Sequence, residues 1–261
     1  MVPMRHLLQR RNFFGGDNMF KYHSHLPKKL WQKNKINPLA RQALLMIGHE
    51  YVRYLAQQIK LPINTIDITD VFIHGSTTNY YWDRFSDIDS CIVAKLGPMH
   101  AKLNGLNIFA LNKSLLKTWK STFHISIFGR SIDITLVDVN DGYDTTHKKV
   151  GSCYSLTKDC WINPPIKLNH EKVCQIQRDA YKKYRVIMRQ CRYIIRHKMS
   201  PDFIDAYLVE LQHARIKNMA SNYVQPITSY CMAFKLVRNT GYLRKLRRIS
   251  KKMRSRCFIL K

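Results

Sequence analysis

The chain has 261 residues, enough for one large domain or two modest ones with a core of ordinary size. Its 45% hydrophobic and 23% charged residues are values of a globular protein and exclude wholesale disorder. The 44 Lys and Arg against 17 Asp and Glu give a formal charge of +27, which predicts attraction to polyanions. We find no run of about 18 apolar residues, so the sequence predicts no membrane span.

The N-terminal residues 1–36 are basic and irregular, and we expect a flexible or loosely docked arm. They lack the long apolar core and the cleavage site of a secretory signal, although a basic, acid-poor leader is also a feature of organellar transit peptides. Seven cysteines without a CxxC pair predict reduced thiols and disfavour a structural zinc site. These features favour a cytoplasmic protein.

The first half of the chain mixes helices and strands. Asn37-Pro38 has the pattern of a helix start, and helical spacing of apolar residues continues to about Lys60. Two apolar runs then predict strands, "KLGPMHAKLNG" predicts a loop, and a β-rich segment centred on Gly129-Arg130 predicts a hairpin. The predicted elements are strands at 71–75 and 86–94, a helix at 112–121 and a hairpin at 123–139.

The second half has the periodicity of helices. Residues 170–199 carry an apolar stripe at helical spacing, and Ser200-Pro201-Asp202 predicts the start of a helix that continues to about Asn218. A further helix is predicted at 226–241. The tail from Gly241 carries nine Lys or Arg and no acid. We therefore expect an α+β domain over 37–160 and an α-helical domain with a basic last helix over 161–261.

Three acidic residues lie within apolar strand patterns. Asp87 and Asp89 are two residues apart, so on a strand they project to the same face. Asp133 is flanked by Ile132 and Ile134 in a later predicted strand. Buried carboxylates require a compensating partner, and the only neighbouring cation in the sequence is Arg84. Three converging carboxylates would form a hard oxygen site suited to two Mg²⁺ ions, with Mn²⁺ as an alternative.

A Gly-Ser step precedes the acid pair. Gly75 ends the first predicted strand, where a glycine lets the backbone approach a ligand closely. A helix after it would direct its first N–H groups at a phosphate, and Ser76 would add a hydroxyl donor. A Gly-Ser step or an Asp-x-Asp pair is common by itself, and the combination in this order and strand context is what predicts a nucleotide site.

The succession of a strand, Gly75-Ser76, Asp87-Ile88-Asp89 and Asp133 resembles the DNA polymerase β-type nucleotidyltransferase superfamily, which transfers a nucleoside monophosphate to a hydroxyl and releases pyrophosphate. The resemblance implies an α+β core with a small mixed or antiparallel sheet. It implies that Asp87 and Asp89 bind both metals and the triphosphate, that Asp133 helps to deprotonate the acceptor hydroxyl, and that Gly75 and Ser76 contact phosphate. Ser90-Cys91 departs from the pattern, since an apolar residue usually follows the acid pair.

The resemblance extends beyond this motif. Residues 147–161 and 232–246, together with "GSTTNYYWDRFSDIDS", are similar to phage-encoded predicted nucleotidyltransferases. That similarity implies the host cytoplasm, or the virion, as the location of the protein.

Several other residues have two readings. Lys148 and Lys149 are candidates for binding the triphosphate or are surface charges. His74 would contact a phosphate or lie hydrogen-bonded in the core. The aromatic run would stack a nucleobase or pack behind the motif, and the later acids are read as solvated turn residues. The aromatic run is Tyr80, Tyr81 and Trp82, and the later acids are Asp138, Asp141 and Asp144.

We expect a Mg²⁺-dependent nucleotidyltransferase that uses an NTP and whose acceptor is RNA or DNA bound through the basic surface. The rival interpretation is a non-enzymatic basic nucleic-acid-binding or phage virion protein that retains the fold. Pyrophosphate transfer to a nucleotide, as in alarmone synthetases, is a third. The base, the acceptor and the oligomeric state stay open.

Overall fold

The computed structural model describes residues 21–104, 108–123, 125–141, 151–220 and 227–259. The described residues from 21 to 169 form one compact unit, which we call the sheet unit. Those from His170 to Met219 and from Ile227 onward form a second compact unit, which we call the helical unit. The described residues form seven α-helices and a mixed six-stranded sheet, which confirms the α+β class.

The sheet unit is built on one mixed sheet and a short hairpin. The hairpin pairs β1 with β2, and the sheet has the order β5-β6-β4-β3-β7-β8. The pair β4–β6 is parallel and the other pairs of the sheet are antiparallel. The strands are β1 (Trp31–Gln32), β2 (Lys35–Ile36), β3 (Asp67–His74), β4 (Ile88–Lys95), β5 (Ser126–Ile127), β6 (Arg130–Asp138), β7 (Cys153–Ser155) and β8 (Cys160–Asn163).

Three helices belong to the sheet unit: α1 (Pro38–Gln58), α2 (Gly97–Leu103) and α3 (Ile108–Thr122). The start of α1 follows from its sequence, because the side chain of Asn37 accepts a hydrogen bond from the Leu39 N–H. Pro38, at the first helical position, has no backbone N–H that would require an acceptor. Tyr51 of α1 and Trp119 of α3 meet edge to face, with ring centroids 5.3 Å apart. Both rings belong to the main core.

Alternation along the strands divides the sheet's residues between two clusters. Ile73 and Ile92 lie in the main core with α1 and α3, whereas Phe72 and Cys91 lie in a smaller cluster with Cys153. Period-two alternation is the geometry of a strand, so the sheet is covered by apolar contacts on both faces. The main core takes the even-numbered residues of β6, and Asp133 therefore projects away from it.

Residues 21–36 are part of the sheet unit. Leu26, Leu30, Trp31 and Ile36 are buried in its main core, so the flexible arm expected for residues 1–36 does not include this segment. The Trp31 ring stacks on Trp161 at a centroid distance of 4.6 Å. This segment was missed because β1 and β2 have only two residues each, too few to show a period. Its packing also depends on Trp161, which is distant in the chain. Residues 1–20 lie outside the described part of the chain.

Two further expectations differ from the structure. The segment that contains Gly97, expected as a loop, forms α2, whose second residue, Pro98, is favourable in a first helical turn. The strands β7 and β8 were not predicted, because segments of three and four residues are too short to show a period. Both strands extend the sheet beyond β3.

The helical unit contains α4 (His170–Arg196), α5 (Pro201–Ala220), α6 (Ser229–Asn239) and α7 (Tyr242–Ile259). Its start signals act as predicted, since the Phe203 N–H donates to Ser200 Oγ at 3.3 Å. The apolar stripe of α4 is buried with residues of the other three helices. That cluster includes Ile187, Cys191, Ile194, Ile204, Leu211, Phe234, Val237, Leu243 and Leu246.

The last helix, α7, has one apolar and one cationic side. Leu243 and Leu246 are buried, and Arg254 donates to Asp202 and Asp205 of α5 at 2.7 and 2.8 Å. The remaining cations of its described turns are exposed, namely Arg244, Lys245, Arg247, Arg248, Lys251 and Lys252. Among the described residues, no helix has the length and apolar character needed to cross a membrane.

We predict that Leu30→Ala destabilises the protein by about 2–5 kcal/mol, because Leu30 is 1% exposed in the core. Leu39→Ala is the matched control, since Leu39 is 70% exposed, and it should change the free energy of unfolding by less than about 0.5 kcal/mol. Urea denaturation measures both values. Equal effects of the two substitutions would show that residues 21–36 do not belong to the folded core.

Candidate metal centre

Strand register brings the three predicted acids to one end of the sheet. Asp89 of β4 is the direct parallel partner of Asp133 on β6, so the two side chains lie on the same face. Asp87 immediately precedes β4, so it lies just outside the observed strand, although the strand predicted at 86–94 included it. Ser90 and Cys91 are both buried, so the departure from the family pattern does not expose the strand.

The three carboxylates form a compact oxygen cluster. One oxygen each from Asp87, Asp89 and Asp133 can be chosen so that all lie within 4.8 Å of one another. Asp87 and Asp89 are half-buried, and the Asp133 side chain is 60% exposed. Carboxylate oxygens are the donors that Mg²⁺ and other hard divalent cations prefer, so this donor set fits such an ion. The cluster can therefore hold a metal.

Two cations that the sequence analysis did not select lie beside the cluster. Lys120 of α3 forms an ion pair with Asp133. Arg130 of β6 donates from its guanidinium to the carbonyl oxygens of Asp83 and Ser86, at 2.9 and 2.6 Å. Arg130 thereby holds the loop that carries Asp87. Its burial lowers its pKa, while Asp83 and Asp87 oppose that change.

The contact between Lys120 and Asp133 had no signal in the sequence, since thirteen residues and a turn separate the two. Arg84, the cation that the sequence did suggest, lies over the Phe85 ring at 4.7 Å. The compensating charge near Asp133 therefore comes from a helix and not from the acid loop.

Gly75 lies against the acid cluster on the side of β3. Its φ of +83° is in the left-handed region, and a Cβ added there would lie 2.0 Å from Asp89 Oδ2. Both the backbone conformation and the close approach require glycine. The expected helix after Gly75 is a single 3₁₀ turn, Gly75–Thr78, which is too short for the helix-terminus phosphate site considered in the sequence analysis.

The 3₁₀ turn is held by hydrogen bonds from within itself, from the following residue Asn79 and from the distant Trp31. The Gly75 carbonyl accepts from Asn79 Nδ2 at 2.7 Å and from Thr78 Oγ1 at 2.9 Å. The Trp31 indole donates to the Thr77 carbonyl at 2.8 Å. Ser76, which follows Gly75, is half-buried. The turn is thus fixed in place before any ligand arrives.

His74 is largely buried, and the aromatic residues Tyr80 and Trp82 pack against other aromatic side chains. Burial lowers the pKa of His74 to about 4, against a smaller opposing effect of Asp133, so the ring is neutral at pH 7. A neutral imidazole supplies no positive charge to a phosphate. Trp82 stacks on His23 at a centroid distance of 3.8 Å, and Tyr80 lies 6.0 Å from Tyr22. These contacts favour the packing reading of the aromatic run.

Asp138 corrects one expectation. It is 4% exposed, accepts from the Asn140 N–H at 3.0 Å and lies 3.1 Å from His100 Nε2, so it is a buried structural acid and not a solvated turn residue. The Asp141 side chain, Asp144 and the two candidate triphosphate ligands Lys148 and Lys149 lie outside the described residues.

Comparison with known proteins gives no match: no protein-family model, no curated protein and no solved structure is similar to this chain.

We predict that Gly75→Ala weakens Mg²⁺ binding at least tenfold, because the new methyl group would displace the Asp89 carboxylate. Gly129→Ala is the matched control: its φ is +75°, but an added Cβ meets nothing within 4 Å. Both substitutions should cost about 1–3 kcal/mol of stability for the backbone conformation. The Mg²⁺-dependent rise in Tm measures the difference. An unchanged Mg²⁺ response in Gly75→Ala would contradict the arrangement of Gly75 and Asp89.

Proposed function

We propose that the protein is a metal-dependent nucleotidyltransferase, which transfers a nucleoside monophosphate from an NTP to a hydroxyl group of a nucleic acid and releases pyrophosphate. The observation that carries the proposal is the convergence of Asp87, Asp89 and Asp133 within 4.8 Å. Their order along the chain resembles that of the polymerase β-type nucleotidyltransferases. The Gly75-Ser76 step against the same cluster supports it.

In this proposal, Asp87, Asp89 and Asp133 hold two Mg²⁺ ions. When bound, the ions would stabilise charge on the attacking and leaving oxygens of a phosphoryl displacement. The backbone N–H groups of Gly75 and Ser76 and the Ser76 hydroxyl would donate to the triphosphate. The Asp133 carboxylate would accept the proton of the acceptor hydroxyl, a role that its exposure to solvent allows.

Lys120 is a positioning residue in this reaction. Its ammonium pairs with Asp133 and lowers the charge repulsion among the three acids. Arg130 acts on the other side by holding the backbone at Asp83 and Ser86, which orients Asp87. The two cations would keep the carboxylates near their working geometry before the substrate binds.

The charge of the chain supports a polyanionic acceptor. A formal +27 attracts nucleic acid without sequence preference, and the exposed cations of α7 are a concentrated source of that charge. The same charge would serve the rival function, a binding protein without activity. Nucleotidyl transfer that is lost when the acids are replaced would distinguish the enzyme from the binding protein.

We predict that wild-type protein with Mg²⁺, α-³²P-labelled NTPs and single-stranded RNA yields labelled RNA and pyrophosphate. Asp87→Asn/Asp89→Asn should reduce the rate at least about 10²-fold, because several kcal/mol of charge stabilisation is removed. Asp67→Asn is the control, since Asp67 is an exposed acid of β3 paired with Lys95 outside the cluster.

Equal labelling by wild type and the double variant would refute the role of the acids. Release of AMP in place of pyrophosphate would indicate pyrophosphate transfer. RNA binding without any labelled product, retained by the double variant, would favour the non-enzymatic protein.

We also predict that Arg247→Gln/Arg248→Gln/Lys251→Gln/Lys252→Gln on α7 weakens RNA binding. The slope of log K against log salt should fall by up to about 3 for single-stranded RNA, because up to four phosphate contacts are lost. The control replaces four exposed lysines of the sheet unit by Gln and removes the same charge: Lys28, Lys102, Lys113 and Lys117. Filter binding at several salt concentrations measures both. Equal slopes for the two variants would show that α7 is not a specific part of the RNA surface.

A further inference from the structure

A cavity of about 550 Å³ adjoins the acid cluster within the sheet unit. It lies between α3, the β5–β6 hairpin and the loop before β4. Ser86 and Ile132, which line it, immediately precede Asp87 and Asp133. Lys120 lines it too, and its ammonium is the group paired with Asp133. We call this space the Lys120 cavity. Its volume falls in the range of about 300–1,000 Å³ that is usual for small-molecule sites.

The walls of the Lys120 cavity carry positive charge. Arg84, Lys120 and Arg130 line it, and none of its thirteen described lining residues is Asp or Glu. Asp133, just outside, is engaged by Lys120. With Lys120 paired to Asp133, Arg84 and Arg130 still give the described walls a positive charge, which favours an anionic ligand such as a phosphate group.

The same walls carry exposed aromatic surface. Phe85 and Phe123 are 51% and 49% exposed, and the buried Trp119 also lines the cavity. Exposed phenylalanine rings at a cationic cavity suit a ligand that combines a flat apolar ring with a negative group. A nucleotide has both parts.

The position of the cavity identifies which nucleotide it would receive. Neighbouring strands place Asp133 on β6, Asp89 on β4 and the His74-Gly75 end of β3 in that order across the sheet. The Gly75-Ser76 step lies on the β3 side of the acids, whereas the Lys120 cavity lies on the β6 side. A donor triphosphate at Gly75-Ser76 would leave the cavity for the second substrate, next to Asp133.

We propose that the Lys120 cavity binds the terminal nucleotide of a single-stranded nucleic-acid acceptor, with the base on Phe85 and Phe123 and the phosphate near Arg84. This rests on the proposed transfer activity and adds the place in the fold that receives the end of the acceptor. It places the terminal hydroxyl beside the Asp133 carboxylate, which receives its proton as the new phosphodiester bond forms and pyrophosphate leaves.

The first experiment measures binding without transfer. Each of the four nucleoside 5′-monophosphates is titrated into the protein in EDTA, by isothermal titration calorimetry. Phe85→Ala/Phe123→Ala should raise the Kd at least about tenfold, and Arg84→Ala should raise it severalfold. Phe128→Ala is the matched control, because Phe128 is 43% exposed at the turn of the β5–β6 hairpin and does not line the cavity. It should leave the Kd within twofold.

The second experiment measures transfer to RNA. Phe85→Ala/Phe123→Ala should raise the KM for RNA and leave the KM for the NTP unchanged. A raised KM for the NTP instead would overturn the proposal and assign the cavity to the donor. Equal mononucleotide binding by wild type and the double variant would overturn it as well. No transfer at all, with mononucleotide binding that depends on the two phenylalanines, would overturn the proposed function and still support a nucleotide site in the cavity.

Discussion

Mutual repulsion of three carboxylates is the constraint on which the site depends. With oxygens within 4.8 Å, each pair of negative charges costs about 1–4 kcal/mol between the dielectric of water and that of a protein surface. The parallel register of β4 and β6 nevertheless places Asp89 directly beside Asp133. A fold that holds three negative charges this close together at one end of its sheet is suited to bind a divalent cation. The neighbouring cations Lys120 and Arg130 reduce the cost while no such ion is bound.

The support for this cluster comes from residues far away in the chain. Trp31 holds the 3₁₀ turn through the Thr77 carbonyl, and Arg130 holds the loop before Asp87 through two further carbonyls. Such backbone contacts fix the position of the acids without adding a ligand to the site. The segment 21–36 therefore contributes, through Trp31, to the order of the Gly75 turn.

Positive charge is concentrated in two settings, the Lys120 cavity of the sheet unit and the exposed side of α7 in the helical unit. In the sheet unit, Arg84, Lys120 and Arg130 line one cavity, where few charges act at close range on a single ligand group. In the helical unit, α7 presents many exposed cations along one face, which suits the repeated phosphates of a polymer. Each setting is suited to a phosphate ligand, the first to a single group and the second to a polymer.

Much of the site could be predicted from local pattern. Strand patterns singled out Asp87, Asp89 and Asp133, which the structure brings together. Gly75 was singled out as a point where the backbone would approach a ligand, and the structure places it against Asp89. Helix starts at Pro38 and Pro201 followed from capping chemistry. The strands β7 and β8, the helix α2 and the burial of Asp138 were missed or misread, because short elements and buried polar residues have no period of their own.

The sequence by itself therefore determined that the three carboxylates lie in or next to strands and that Gly75 lies at the end of one, because both depend on neighbouring residues. Tertiary structure decided that β4 and β6 pair in parallel with Asp89 opposite Asp133, that Lys120 reaches Asp133, and that a cationic, aromatic cavity adjoins the acids. These contacts join residues that are far apart in the chain. They form only when whole helices and strands pack together, and the local sequence pattern does not determine that packing.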